Sequence, residues 1–535
     1  MNISFIDQVE SHLRTKSLRD LKALIMRLAS QMPESEHKNF LEILEDKKTI
    51  INKSKSCNTS ANISIERVQN FLDGIEDYSI EAYYYDNWHS DGWEIQDDDG
   101  FAEDVSVCYT ACEHLLIQGN YPEAAAAFRL FFEALDRFNE YNAGHDYGAL
   151  SVETFIDEGL LDINMDKAKA LRGYSSLMAQ GTYLADDLNY IYHMCTSSYS
   201  RNISFRDILN TGSEPVPNLE NILTQWLAVL TAQSPEDAAP LIKEAAQLLD
   251  APDVMEQFAK TKGLTEPTAH LALCEMLIEQ NSTPEKIISA AIHGLKHTAV
   301  NSHRRGELAL LLADTAKESN DLTSYSYAVL EHFYSDTNVA NYLQIRALKS
   351  ETANQSALTF LASKKGYHDT NTYHIINMLN GKYMQAFEAV KRDTKSLGWS
   401  YSLKGYLFPF FLGILTGFNR KALATKKLIE KEETDGLYTA LEESLGNVTK
   451  EESAFLLDWC VKEVGKRVDG IVSNQHRGAY NRAAQLLVAV CEVRLLREEV
   501  NPFALLHKYL KKYPRHSAFH GEVRGALNEA KLNAY

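Results

Sequence analysis

Apolar residues return every three or four positions along most of this chain, and strict alternation is nearly absent. That spacing predicts amphipathic helices rather than half-buried strands. Ser17 precedes a run through Leu18, Leu21, Leu24, Ile25 and Leu28, and Phe40, Leu41 and Leu44 follow Pro33 on one face. Residues 1–45 therefore read as a small helical unit. Residues 46–64 carry Lys, Ser, Asn and Thr without periodicity and read as a polar linker. Helical spacing resumes at Ile65, Val68, Phe71, Leu72 and Ile75. An aromatic and acidic stretch, 83–100, then interrupts it and reads as a loop, with Asp99 placed to cap the next helix.

The clearest local pattern is Leu115-Leu116-Ile117-Gln118-Gly119-Asn120-Tyr121-Pro122-Glu123-Ala124. A helix over about 102–118 ends at a Gly-Asn turn, and a second, over about 122–139, opens with Pro and Glu in its first turn. Ala124 is small where two helices approach, while Phe128, Phe131, Phe132 and Leu135 supply bulk. Weaker echoes follow at 271–280 with 284–297, 308–318 with 322–334, and 372–379 with 383–391. Their turns fall at Asn281, Asn320 and Gly381. Amphipathic helices are also expected over 454–464 and 480–496, the latter with Tyr480, Ala483, Ala484, Leu487, Val490 and Cys491 on one face. The charged run 426–435 is either an exposed helix or a connection. The fold expected is all-α, a helical-hairpin solenoid in two or three packed blocks: 65–215, with the loop 83–100; 216–397; and 398–535.

Gly119-Asn120-Tyr121-Pro122-Glu123-Ala124 with Phe128 resembles the second helix of a tetratricopeptide unit, and the hairpin period of about 30 to 40 residues is similar. Further on, 479–487, Tyr509-Leu510, Tyr513-Pro514-Arg515 and Phe519 are similar to the helical regions that accompany bacterial SWIM-type zinc fingers. His303-Arg304-Arg305-Gly306-Glu307-Leu308, leading to Tyr342-Leu343-Gln344-Ile345-Arg346, resembles the middle of those regions. The chain lacks the Cys-x-Cys of the finger itself. The resemblance thus implies a degenerate helical-repeat body of a bacterial protein, without the zinc module.

Charge sharpens this picture. The formal net charge is −19, and the segment 71–160 holds 21 acidic residues against two basic ones, Arg129 and Arg137. The segment 460–535 is basic, with 13 Lys and Arg against 7 Asp and Glu. General nucleic-acid binding does not suit so acidic a chain, although the basic end supports it as a second reading. Seven cysteines, at 57, 108, 112, 195, 274, 460 and 491, are too few and too odd in number for a disulfide framework. With no signal-peptide pattern at Met1, they imply reduced thiols and a cytoplasmic protein. The longest apolar stretch, Tyr406 to Phe418, is short of the ~20 residues of a membrane span and reads as a buried hairpin.

No nucleophile elbow, His-Glu-x-x-His pair or Gly-rich phosphate loop is present. The expectation is a non-enzymatic scaffold or adaptor for a protein partner, with no cofactor and no metal; a hydrolase with a scattered site is a third reading. Cys108-x3-Cys112-x-His114 lacks a second ligand pair. Aligning the loop as a calcium loop puts His89 at a ligand position, which suits calcium poorly. The partner-contact candidates are the aromatics Tyr84, Trp88 and Trp93 with Asp97, Asp98 and Asp99, anchors in a charged surround. For nucleic acid they are Lys508, Lys511, Lys512 and Arg515, interleaved with Tyr509 and Tyr513.

Overall fold

The computed structural model describes residues 60–77, 82–87, 92–97, 99–142, 150–181, 184–196, 203–363, 370–397, 402–429, 436–444, 446 and 448–533. The N-terminal unit expected at 1–45 lies outside them. So does most of the linker, whose last residues instead begin a helix at Ser60. The described chain is helical apart from one antiparallel hairpin, and it divides into two compact units between Ala232 and Gln233.

The first unit holds helices α1 (Ser60–Glu76), α2 (Phe101–Ile117), α3 (Tyr121–Asn142), α4 (Val152–Asp157), α5 (Met165–Ala179), α6 (Leu184–Thr196), α7 (Phe205–Thr211) and α8 (Leu219–Ala232). α1 packs on α2 and α3, α3 on α5, and α5 on α6 and α7. Phe101, Phe128, Phe131, Phe138 and Phe155 fill the core, with the Phe101 and Phe138 rings stacked 3.8 Å apart. The stretch expected as an irregular loop contains strands β1 (Tyr83–Asn87) and β2 (Gly92–Gln96), paired Tyr84 to Ile95 and Asp86 to Trp93. Two strands of five residues each carry too little alternation to be recognised. The cap of α2 is also not the residue expected. Gly100 takes a left-handed conformation, φ 79°, and turns the chain so that Asp97 accepts from Phe101 N at 2.6 Å and Ala102 N at 2.9 Å.

The second unit opens with α9 (Pro235–Leu248), α10 (Pro252–Lys260), α11 (Pro267–Glu279), α12 (Pro284–His297), α13 (Arg305–Glu318) and α14 (Leu322–Ser335). α15 (Val339–Ala347), α16 (Glu351–Ser363), α17 (Thr370–Leu379) and α18 (Tyr383–Arg392) follow. Here α9 packs on α11 and α11 on α13, with α10 and α12 each wedged against both flanking helices. The remaining helices are α19 (Leu403–Leu415), α20 (Leu423–Ile429), α21 (Leu437–Ser444), α22 (Lys450–Val472), α23 (Tyr480–Leu496), α24 (Ala504–Lys512) and α25 (Ser517–Glu529). Of these, α19, α20, α22, α24 and α25 pack on α23, while α21 packs on α15 and α17. Val390 and Leu397 share one apolar core with Leu407, Phe408 and Val488, so no break in the core falls at 397/398.

One backbone device recurs. At Gly119, Asn281, Asn320 and Gly381 the second residue after the helix has positive φ. Its N–H reaches back three residues, and the next N–H reaches back five, as in Asn120 N to Leu115 O at 3.1 Å and Asp321 N to Ala316 O at 2.8 Å. This closure satisfies the last carbonyls of the helix and reverses the chain within a few residues. The same geometry closes helices at Asp250, Gln475 and Glu498, where no glycine or asparagine announces it.

Two helices expected or implied to be one-faced are buried all round. α23 buries every residue from Leu486 to Val493, so its single expected face is corrected to a surrounded helix. The apolar stretch at Tyr406 likewise forms one buried helix, α19, followed by a turn at Gly417, rather than a hairpin. Gly413 makes that turn close: a Cβ there would lie 2.5 Å from the Phe418 ring. The described part of the charged run lies in α20, where Thr425 and Ile429 are buried; 430–435 lie outside the described residues. No helix among the described residues is long and apolar enough to cross a membrane.

The buried His270 on α11 gives this unit a pH dependence. Nε2–H donates to Leu264 O at 3.0 Å, leaving Nδ1 without a partner. Burial first, then His293 and His297, hold its pKa below the ordinary histidine value. Protonation would place a second N–H where nothing accepts it. Because the folded pKa lies below the unfolded one, the stability His270 contributes is full above about pH 6.5 and is lost as pH falls through the folded value. The midpoint of thermal unfolding should therefore drop between pH 7 and pH 5, and less so in His270→Phe. An equal drop in both proteins would assign the acid sensitivity elsewhere.

Candidate functional site

The acidic segment builds its site on the outer side of α3. Ala124, Ala127, Phe128, Phe131, Phe132 and Leu135 face inward. The helical period then places Arg129, Glu133, Asp136, Arg137 and Glu140 along the other side. α5 packs beside α3 and contributes Arg172, and α6 packs on α5 and contributes Tyr190 and Asp187. A cleft of about 300 Å3 results, lined by Arg129, Glu133, Asp136, Arg137, Glu140, Arg172 and Tyr190. The only two basic residues of the segment 71–160 thus meet in one place, together with a third arginine.

Arg172 is the unusual member. Its relative exposure is 8%, its guanidinium carbon lies 3.1 Å from the Tyr190 ring centre and 5.2 Å from that of Phe132, and its Nε–H has no acceptor among the described residues. Stacking on two rings compensates part of its charge but none of that N–H. Burial lowers its pKa, against the pull of Tyr190, Asp136 and Asp187. Burial also raises the carboxyl of Asp136, although that residue sits on an exposed helix position, and pushes the Tyr190 phenol up to about 12. The other two arginines are engaged: Arg129 with Asp187 at 3.4 Å, and Arg137 with Glu140 at 3.4 Å and Glu76 at 3.9 Å. Perturbed titration within a cleft is a mark of functional sites. Chemically, the cleft pairs a buried donor with a rim of carboxylates.

None of the described residues expected from the sequence lines this cleft. Tyr84 and Trp93 lie on β1 and β2, while Trp88 and Asp98 lie outside the described residues. Asp97 is spent on capping α2, and Asp99 is exposed in the turn before Gly100. At the basic end, Lys508, Lys511, Lys512 and Arg515 are exposed, but Tyr509 and Tyr513 belong to the core. Asp469 receives Lys512 Nζ and Tyr513 Oη, each at 2.6 Å. The aromatic platform expected for bases is therefore closed. Cys108 and Cys112 are buried, and burial pushes the Cys108 thiol up to about 12. Among the described residues, no three His, Cys, Asp or Glu side chains are grouped to hold a metal.

Arg172 and Tyr190 carry no local signal in the sequence; only folding brings them to α3. Arg129 and Arg137 did carry one, as isolated cations within an acidic segment. No family model matches the chain, and no curated protein and no solved structure matches it either.

Proposed function

We propose that this chain is a non-enzymatic adaptor, a tetratricopeptide-like α-solenoid whose acidic first unit docks a basic segment of a protein partner in the cytoplasm. The observation that carries this reading is the placement of charge. Glu103, Glu123, Glu133, Asp136, Glu140, Glu153, Asp157 and Glu158 are exposed on α2, α3, α4 and the turn after α4. Such a field attracts a cationic segment and speeds its encounter. The recurring helix closures and the packing of α9 on α11 and α11 on α13 support the repeat part of the reading, since solenoid units contact mainly their neighbours. The burial of Tyr509 and Tyr513 weighs against the nucleic-acid reading.

Binding should be measured for a lysine- and arginine-rich peptide and for single-stranded RNA, over a range of salt. We expect the peptide to bind and to weaken with salt. Glu123→Lys/Glu133→Lys/Glu140→Lys should weaken it by about tenfold or more, mostly through a slower on-rate. RNA binding lost on changing Lys508, Lys511 and Arg515 to Glu, with no peptide binding, would replace the adaptor with the nucleic-acid reading.

A further inference from the structure

We infer that a groove along α12 docks one amphipathic helix of a partner protein, antiparallel to α12, with an acidic start, an apolar middle and a basic end. This groove lies in the second unit and goes beyond the docking proposed for the first. α12 is the second helix of its hairpin and packs on α11 and α13, burying Ile287, Ala291, Gly294 and Leu295. Glu285, Ile288, Ser289, Ile292, His293 and Lys296 recur at helical spacing on a neighbouring face and line a groove of about 530 Å3. Ser319 and Asp321, in the turn from α13 to α14, line it as well. From Glu285 to Lys296 the face runs about 16 Å, three turns of helix.

The groove has two poles. Glu285 and Asp321 stand where α12 begins, and His293 and Lys296 where it ends, with Ile288 and Ile292 between them. Leu322, next to Asp321, leaves a further apolar side chain 79% exposed. Neither pole is neutralised within the chain: Glu285, Asp321 and Lys296 form no ion pair among the described residues. Its own backbone N–H and the Thr283 hydroxyl hold the Glu285 carboxyl below its ordinary pKa, and Ser324, then the Thr323 N–H, do the same for Asp321. Both acids therefore stay charged beside uncharged donors. Burial first, then His297, Lys260 and Lys296, lower the pKa of His293, so Lys296 carries the charge of its pole at neutral pH.

Charge complementarity selects the occupant. A helix antiparallel to α12 sets its C-terminal end beside Glu285 and Asp321 and its N-terminal end beside Lys296. Helices favour acids in the first turn and bases in the last, so side chains that suit the partner's own dipole also match both poles. Apolar residues four apart on that helix meet Ile288 and Ile292, which are themselves four apart. A segment of one charge throughout would match one pole and meet its like charge at the other. The volume is in the range of a ligand pocket and takes the apolar side chains of one helix face.

The test is fluorescence anisotropy of the full chain with three labelled peptides of equal length and net charge, each held helical by a staple on its far face. The first has glutamates in its first turn, leucines along one face and lysines in its last turn. The second exchanges the charged ends, and the third replaces the leucines with serine. We expect the first to bind about tenfold or more tightly than either of the others. Glu285→Lys/Lys296→Glu/Asp321→Asn, in which Asn keeps the cap of α14, should invert the preference in favour of the second peptide. Ile292→Asp, at a half-buried position, should abolish binding of the first, and circular dichroism establishes that both variants are folded. Glu123→Lys/Glu133→Lys/Glu140→Lys, in the first unit, should bind the first peptide as the wild type does. Equal binding of the first two peptides, an unchanged preference in the pole-exchanged variant, or no binding at all would overturn the inference and leave the docking proposed for the first unit standing. Loss of binding in the first-unit variant would move the helix to that unit and overturn the inference as well.

Discussion

Replacing Arg305 with alanine should cost about 3–5 kcal/mol of folding stability, one of the two largest single-site effects expected in this chain. Arg305 opens α13 and is 2% exposed. Its guanidinium donates to Thr298 Oγ1 at 3.2 Å and Leu295 O at 3.0 Å on the α12 side. On the α14 side it reaches Ser335 Oγ at 2.8 Å and pairs with the Glu331 carboxylate. One side chain thus ties three consecutive helices at the point where the chain reverses. Removing it strands a nearly buried carboxylate and the Leu295 carbonyl, and that loss, more than the attraction itself, sets the size of the effect. The double variant Arg305→Met/Glu331→Leu should recover most of the loss, because it removes both charges together. Urea unfolding of the wild type, Arg305→Met, Glu331→Leu and the double variant measures the coupling directly. A cost below about 1 kcal/mol for Arg305→Ala would show the network to be dispensable.

Arg305 also shows where sequence reading reaches its limit. The stretch 303–308 drew notice through a resemblance that bears on the fold and names no role for Arg305; in the folded chain Arg305 is a clamp inside the helix stack. Helix positions were legible because apolar spacing is a local property. The turns at Gly119, Asn281, Asn320 and Gly381 were legible because Gly and Asn tolerate the left-handed conformation. Closures at Asp250, Gln475 and Glu498 were not, since there the same conformation falls on residues that announce it less strongly than Gly and Asn do. β1 and β2 stayed hidden because strand pairing is a relation between segments, here across only a few residues. The cap of α2 was assigned to the nearest acid, Asp99, but the left-handed Gly100 swings Asp97 into that role.

The candidate cleft divides in the same way. A deficit of basic residues in 71–160 is visible in the sequence, and so are its two exceptions, Arg129 and Arg137. Their meeting with Arg172 depends on α5 packing against α3, which no residue pattern states. The Tyr509 and Tyr513 pair marks the opposite failure. Cations and aromatics in alternation match a nucleic-acid surface equally well when the aromatics face the core, as these do.

The second large effect is expected at Glu492, a carboxylate near the end of the surrounded helix α23. It is 2% exposed and accepts from Ala424 N at 2.9 Å and Thr425 N at 2.8 Å, closing the first turn of α20. Glu492→Leu leaves both N–H groups without their acceptor in the core, at a cost of about 2–5 kcal/mol. Glu492→Gln keeps an acceptor oxygen and should cost half of that or less. Acidity separates the two contributions of this residue. Burial raises its pKa above the ordinary carboxylate value, and the N–H groups of Ala424 and Thr425 offset that only in part. A folded pKa above the unfolded value of about 4.3 means that stability from the protonated form is complete below that value and is lost as pH rises through the folded one. The stability difference between wild type and Glu492→Gln should therefore shrink as pH rises from about 4 toward neutrality, while groups common to both proteins cancel. Urea midpoints across that range give the curve. A difference that stays flat with pH would mean that its two backbone donors just balance the cost of burying it, and one that grows with pH that they outweigh it.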